Sequence, residues 1–204
     1  MTGAGVPEER EVKLTVDADF TLPPLDTLPG VTLDDRGTDT LRAVYLDTDD
    51  LALAHAGVGL RHRNGTWTYK GRSRHEGDSV VREEREVEAP DAAIPAELQE
   101  AVAPHVDVGR LRPIAVVVTE RHTILVDRGR ESVELVHDRV TVESGPTIVD
   151  RFTAVEVEYE QPSTDLAGVV VQALTDAGAV LDRTAKYVRA LRALGYDVPD
   201  TLDE

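Results

Sequence analysis

Cysteine is absent from the 204 residues. That excludes disulfides, a thiol nucleophile and any thiolate-based zinc site. Aromatic residues are sparse at 4%, and the 41% hydrophobic content comes mainly from Leu and Val. No apolar run approaches the roughly 20 residues that a membrane span requires. The segment Met1–Arg10 has no apolar core of the kind a secretory leader carries, so a cytoplasmic protein is expected. Basic residues are outnumbered, 22 against 39 acids, for a net charge of −17. Such a balance argues against general nucleic-acid binding, which needs a basic surface, and fits an acidic, solvated exterior. Lysine is the scarcest charge: only Lys13, Lys70 and Lys186 occur, and the other basic residues are Arg. Where Arg serves every general purpose, the remaining lysines mark places for a compact, flexible ammonium.

What is present is charge placed where a sheet normally puts its core. Glu9, Glu11 and Lys13 alternate along a segment that reads as a strand, so they share one face while Val12 and Leu14 share the other. The same spacing recurs in Arg61 and Arg63, in Arg82, Glu84 and Glu86, and in Glu156 and Glu158. With Lys70, Arg121 and Lys186 this makes an inward set of six acids and seven bases. For any one strand, a solvated charged face is the simpler explanation. Five such strands together suit a water-filled lumen, because buried charges must be paired, hydrated or ligand-bound. Carboxylates two apart on a strand stand about 6.6–6.8 Å apart, too far to share one ion easily, so ions would lie between the two Glu-x-Glu strands. An all-oxygen ligand set favours Mg²⁺ or Mn²⁺, and the bases would grip phosphate oxygens.

Turn signals divide the chain into about eight strands, with helices expected after the fifth (Pro90–Val102) and eighth (through Ala177) and over residues 184–194. Asn64-Gly65 is the strongest hairpin signal. Residues 21–39, rich in Pro, Gly and Asp, read as a loop, and the stretch after His137 reads as kinked. Thr48 is a candidate helix cap, and Ser163 or Thr164 caps the helix after the eighth strand. The expected fold is α+β: an eight-stranded antiparallel β-barrel with flanking helices and a plug helix near the C-terminus, in a single domain over 1–204 with a core of about 8–196. Other chemistry is poorly supported. The six His residues lack metal-ligand spacing and read as surface groups. Gly57-Val58-Gly59 lacks a third glycine and a following helix. Trp67 reads as packing on the outer face.

The pattern as a whole resembles the CYTH domain of the triphosphate tunnel metalloenzymes. The matching stretches, in order, are Glu9-x-Glu11-x-Lys13, Tyr45-x-Asp47-Thr48, Leu60-Arg61-x-Arg63, Lys70-Gly71, Arg82-x-Glu84-x-Glu86, Arg121, Glu134-Leu135 with Asp138, Glu156-x-Glu158 and Lys186-Tyr187-x-Arg189-Ala190-Leu191. Ala185 stands where the family commonly has Ser. The resemblance implies a metal-dependent triphosphatase, with Glu9, Glu11, Glu156 and Glu158 as metal ligands and Glu84 and Glu86 available for a second ion. It implies that Lys13, Arg61, Arg63, Lys70, Arg82 and Arg121 hold phosphates. Lys186 would contact a phosphate or place the attacking water, making Glu9, Glu11 and Lys186 the catalytic group. The implied substrate is inorganic triphosphate or a small organic triphosphate such as thiamine triphosphate or a nucleoside triphosphate. A class IV-type adenylate cyclase is disfavoured, since Val6-Pro7-Glu8 replaces the His-Phe-like element before the first motif; a non-catalytic triphosphate- or polyphosphate-binding module is the other alternative. The expected unit is a stand-alone monomer or homodimer without nucleic-acid or membrane partners.

Overall fold

The computed structural model describes residues 8–90, 93–160 and 165–198. Its strands are β1 (Glu8–Val16), β2 (Thr32–Asp47), β3 (Gly59–Arg63), β4 (Thr66–Glu76), β5 (Ser79–Glu88), β6 (Arg112–Arg128), β7 (Glu131–Ser144), β8 (Thr147–Glu158) and the short β9 (Val180–Leu181). The helices are α1 (Ala52–His55), α2 (Ala96–Val102), α3 (Asp165–Asp176) and α4 (Lys186–Ala193). Strand order runs β5-β4-β3-β2-β6-β7-β8-β1, and β1 returns to β5. All pairings are antiparallel, so eight strands close into a barrel. On β1, residues Glu8–Glu11 pair with β5, and Leu14 and Thr15 on the same edge pair with β9. The expected α+β barrel with flanking helices is thus the fold.

Closure follows from tight turns between long strands. Asn64 and Gly65 both adopt positive φ, 49° and 87°, the geometry whose twist matches a two-residue hairpin. The loop expected over 21–39 is only partly one: Thr32–Asp39 belongs to β2, paired from Thr32 opposite Asp127. This arm is exposed on both faces, so it shows no alternation of hydrophobicity. Its β-rich partner around Ile124 and Val126 imposes the extended form. Gly37 (φ 81°) absorbs a register shift there, and its amide donates to Asp35 Oδ1 at 2.8 Å. The kink expected after His137 is absent, and β7 runs unbroken to Ser144. The helix expected from Pro90 begins at Ala96. Thr48 does accept the Ala52 amide at 2.9 Å. The cap expected at Ser163 or Thr164 lies outside the described residues.

Apolar packing lies mostly outside the barrel. Val12, Leu14, Leu135, Val155 and Val157 point outward and are covered by Leu166, Val170 and Leu174 of α3. Leu60, Trp67 and Tyr69 of β3 and β4 are covered by Leu53 of α1 and by Leu98 and Val102 of α2. Each fully buried side chain of this size stabilises the fold by about 1.5–3 kcal/mol. The third cluster closes one end of the barrel, where Tyr187, Val188 and Leu191 of α4 sit against Ala43, Tyr45, Val117 and Phe152. His62 faces outward beside Trp67, with ring centroids 4.8 Å apart. His137, expected at the surface, is buried beneath Phe20, whose ring meets it edge-on at 6.1 Å. Burial pushes its pKa down. No helix among the described residues is long and apolar enough to cross a membrane.

Candidate active site

With the apolar faces turned outward, alternation on every strand sends the remaining side chains into one cavity of about 630 Å³. All thirteen residues assigned to the inner face line it. Glu8, Glu134 and Arg183 line it as well. Glu134 shares its face of β7 with Val136 and Asp138, an alternation hidden by the kink expected there. Arg183 comes from the irregular segment before α4, where no periodicity points to it. Its Nη2 donates to Gly77 O at 2.9 Å.

The acidic side centres on β1 and β8. Glu11 and Glu158 are register partners, and one carboxylate oxygen from each of Glu9, Glu11 and Glu158 lies within 4.8 Å of the others. Three hard oxygen donors converging in this way fit a divalent cation. Burial, and then Glu156, Glu11 and Glu9, push the Glu158 carboxyl up to about 8 against the pull of Arg121. A cation among the three would reverse that repulsion. Glu156, the fourth acid of the two Glu-x-Glu strands, is engaged differently. It accepts from Lys186 Nζ at 2.6 Å and Arg121 Nη2 at 3.3 Å. Burial alone would raise its pKa, but Lys186, Lys13 and Arg121 outweigh burial and hold it well below the usual carboxylate range.

The bases interleave with these acids. Arg82 donates to Glu9 and Glu11, both at 2.7 Å, and Lys13 donates to Glu11 at 2.5 Å. Lys70 bridges Glu9 at 2.9 Å and Glu84 at 2.5 Å. Arg121 forks onto Asp138 at 2.9 and 2.7 Å. Lys186 reaches Asp138 at 2.8 Å as well. Each of these ammonium and guanidinium groups therefore has a counter-charge, which is the condition for leaving it ionised inside a protein. Arg61 and Arg63 are the less committed pair. Arg61 stands 3.8 Å from both Glu84 and Glu86, and its buried Nε has no hydrogen-bond partner. Burial, then Arg61 and Arg121, lower the pKa of Arg63. Glu86 is half-exposed and accepts from Thr68 Oγ1 at 3.1 Å.

Two residues that carry no assigned role in the sequence motifs hold the walls. Asp138, fully buried, pairs with both Arg121 and Lys186. Asp47, equally buried, accepts the amides of Thr48, Leu53 and Ala54 and the Tyr187 hydroxyl. No charged alternation marks Asp47, and the one that links Asp138 to Glu134 crosses the kink expected after His137.

Comparison with known proteins agrees with this geometry. No curated protein matches the sequence. Solved structures do, at low identity. A provisionally named adenylate cyclase from Bacillus halodurans superposes with a TM-score of 0.60 at 18% identity, covering 88% of this chain and 95% of that one. A provisionally named adenylyl cyclase of Hippeastrum, described as having a dominant triphosphatase activity, gives 0.57 at 18%, covering 94% and 98%. The PH1819 protein of Pyrococcus horikoshii gives 0.53 at 16%, covering 90% and 98%. At these identities the likeness is one of fold. The CYTH domain model matches residues 8–189, the whole barrel and the start of its plug helix, and the chain belongs to the CYTH domain family.

Proposed function

We propose that the protein is a metal-dependent phosphohydrolase that cleaves inorganic triphosphate or a small organic triphosphate inside the barrel. The observation that carries this reading is the pairing, in one cavity, of a three-carboxylate oxygen cluster with basic groups that include an Arg61 guanidinium whose buried Nε has no hydrogen-bond partner. Carboxylates alone would suit a cation, and bases alone an anion. Both together suit a polyanion bound with its metal. The triphosphatase description of the Hippeastrum protein, which shares the fold, points the same way.

On this reading Glu9, Glu11 and Glu158 hold Mg²⁺ or Mn²⁺. Glu84, Glu86 and Glu156 are further ligand candidates, though in this structure lysine ammonium groups engage Glu84 and Glu156. A divalent cation bound there would offset phosphate charge and lower the pKa of a bound water. Arg61, Arg63, Arg82 and Arg121 present planar donors to phosphate oxygens, and Lys13 and Lys70 act as point charges. Lys186 enters from the plugged end, where its ammonium can reach a terminal phosphoryl group or orient the incoming water. Burial opposes its charge, but Glu156 and Asp138 keep it firmly protonated, so it donates hydrogen bonds and does not serve as a base. The tunnel walls hold the chain of phosphates in line for attack on its end.

The test is incubation of the purified protein with Mg²⁺ or Mn²⁺ and, separately, inorganic triphosphate, thiamine triphosphate and ATP, following phosphate, pyrophosphate and cyclic AMP. Metal-dependent phosphate release from one of them is expected. Cyclic AMP from ATP would replace the reading with a cyclase. Strong thermal stabilisation by triphosphate without turnover would replace it with a binding module.

A further inference from the structure

We propose that Asp47 is a positioning residue for the tunnel, acting through the Tyr187 hydroxyl to set where the Lys186 ammonium sits. The inference rests on the tunnel being the triphosphate site.

Asp47 ends β2 with its carboxylate sealed from solvent. Oδ1 accepts from the amides of Thr48 (2.7 Å) and Leu53 (2.9 Å). Oδ2 accepts from the Ala54 amide and from the Tyr187 hydroxyl, both at 2.9 Å. A buried carboxylate needs such donors. The Leu53 and Ala54 amides tie it to α1, just after Leu51 in its left-handed conformation (φ 54°). The phenol ties that corner to α4, 140 residues further along the chain.

The plug helix needs this hold. Ala185 precedes it in extended conformation and offers no side-chain cap, so the amides of the first turn are not fixed locally. Tyr187 is instead gripped twice. Its ring stacks on Tyr45 at 4.7 Å and 12°, and its hydroxyl bonds to Asp47. Both grips come from β2, two residues apart. Lys186 precedes Tyr187, so fixing one fixes the backbone origin of the other. A flexible four-carbon stem reaches a defined point only from a defined Cα. Lys186 reaches two, Asp138 at 2.8 Å and Glu156 at 2.6 Å.

With three lysines in the chain, ¹⁵N-lysine labelling isolates three side-chain ammonium signals, and Lys186→Arg assigns the one that matters. Tyr187→Phe keeps the ring and removes the hydroxyl. The expected result is a shifted or broadened Lys186 signal with Lys13 and Lys70 unmoved. Affinity for a non-hydrolysable imidotriphosphate in saturating Mg²⁺, where no turnover intervenes, should weaken about tenfold, as for the loss of one buried hydrogen bond. In a Lys186→Ala background the same change should cost less than about twofold. An unmoved Lys186 signal, or equal losses in both backgrounds, overturns the proposal. A wild-type protein that binds no triphosphate refutes the reading of the tunnel instead, and the ammonium signal still decides whether Tyr187 places Lys186. Should Tyr187→Phe not fold, Asp47→Asn is read by the same signal: a moved Lys186 resonance supports the proposal and an unmoved one overturns it.

Discussion

In metal-free solution the protein should lose stability as the pH rises from about 4.5 to 8, and Glu158 should be the main reason. Burial, with Glu156, Glu11 and Glu9 adding repulsion, moves the folded-state carboxyl from the ordinary 4.5 up to about 8. In the unfolded chain the same group titrates near 4.5. Between those values the folded protein keeps a proton that the unfolded chain has released. The folded state therefore binds more protons, and the free energy of unfolding falls with rising pH. The whole span, at about 1.4 kcal/mol per pH unit, sets a ceiling of about 5 kcal/mol. The side chain is 24% exposed, and solvent screening brings the expected loss to roughly 2–3 kcal/mol. Neighbouring groups act elsewhere or more weakly. Glu9 and Glu156 have lowered values, so their contribution is complete above about pH 4.5 and is lost only in more acid solution. Glu84, raised mainly by burial, adds to the fall. His137, lowered mainly by burial, opposes it below its ordinary 6.5.

The comparison that isolates Glu158 is urea unfolding of the wild type and of Glu158→Gln in EDTA across this range. The glutamine variant should lack most of the downward slope and be the more stable protein at about pH 8. Saturating Mg²⁺ or Mn²⁺ should flatten the wild-type profile alone. Parallel profiles for the two proteins in EDTA would refute the account of the carboxylate cluster.

Glu9→Gln and Glu158→Gln should each abolish metal-dependent hydrolysis while circular dichroism stays native, and near-wild-type turnover in both would remove them as ligands. Lys186→Ala should lower kcat about a hundredfold, the scale for removing a charged donor from a preorganised site. Thermal melting should show that folding suffers less, because Arg121 still pairs with Asp138. Melting of the variant below assay temperature would instead make the helix contact structural. Leu174→Ala, outside the barrel and fully buried, should cost about 2–4 kcal/mol in urea unfolding and leave KM for triphosphate unchanged.

The parts of the fold that were legible are those in which one physical cause acts alone. Period-two charge on β1, β3, β5 and β8 reports directly which way each side chain points, because pleating leaves no alternative. Hence the whole assigned inner face lines a single cavity. The arm at Thr32–Asp39 was not legible, since both of its faces are solvated and only pairing with β6 holds it extended. Glu134, though named within a motif, is not assigned to the inner face because the kink expected after His137 breaks the alternation that links it to Asp138. His137 escaped because the residue that buries it, Phe20, lies in a loop far away in sequence. Asp47 is named within a motif but given no role, for the same reason in sharper form: one of its partners lies 140 residues away.

Charge balance inside the tunnel links its two halves. Eight acids and eight bases line the cavity, so its walls are close to neutral when all are ionised. A neutral cavity attracts a polyanion of several charges only weakly, because every phosphate oxygen brought in loses part of its hydration. Two changes tip the balance. Protonation of Glu158, already favoured by its neighbours, removes one negative charge. A divalent cation among Glu9, Glu11 and Glu158 adds two positive charges and frees Lys13, Lys70 and Arg82 from holding those carboxylates alone. On the proposed reading, cation and triphosphate therefore reinforce each other's binding, each supplying the charge the other requires. The acids that by themselves oppose an anion site are what makes its occupancy conditional on metal.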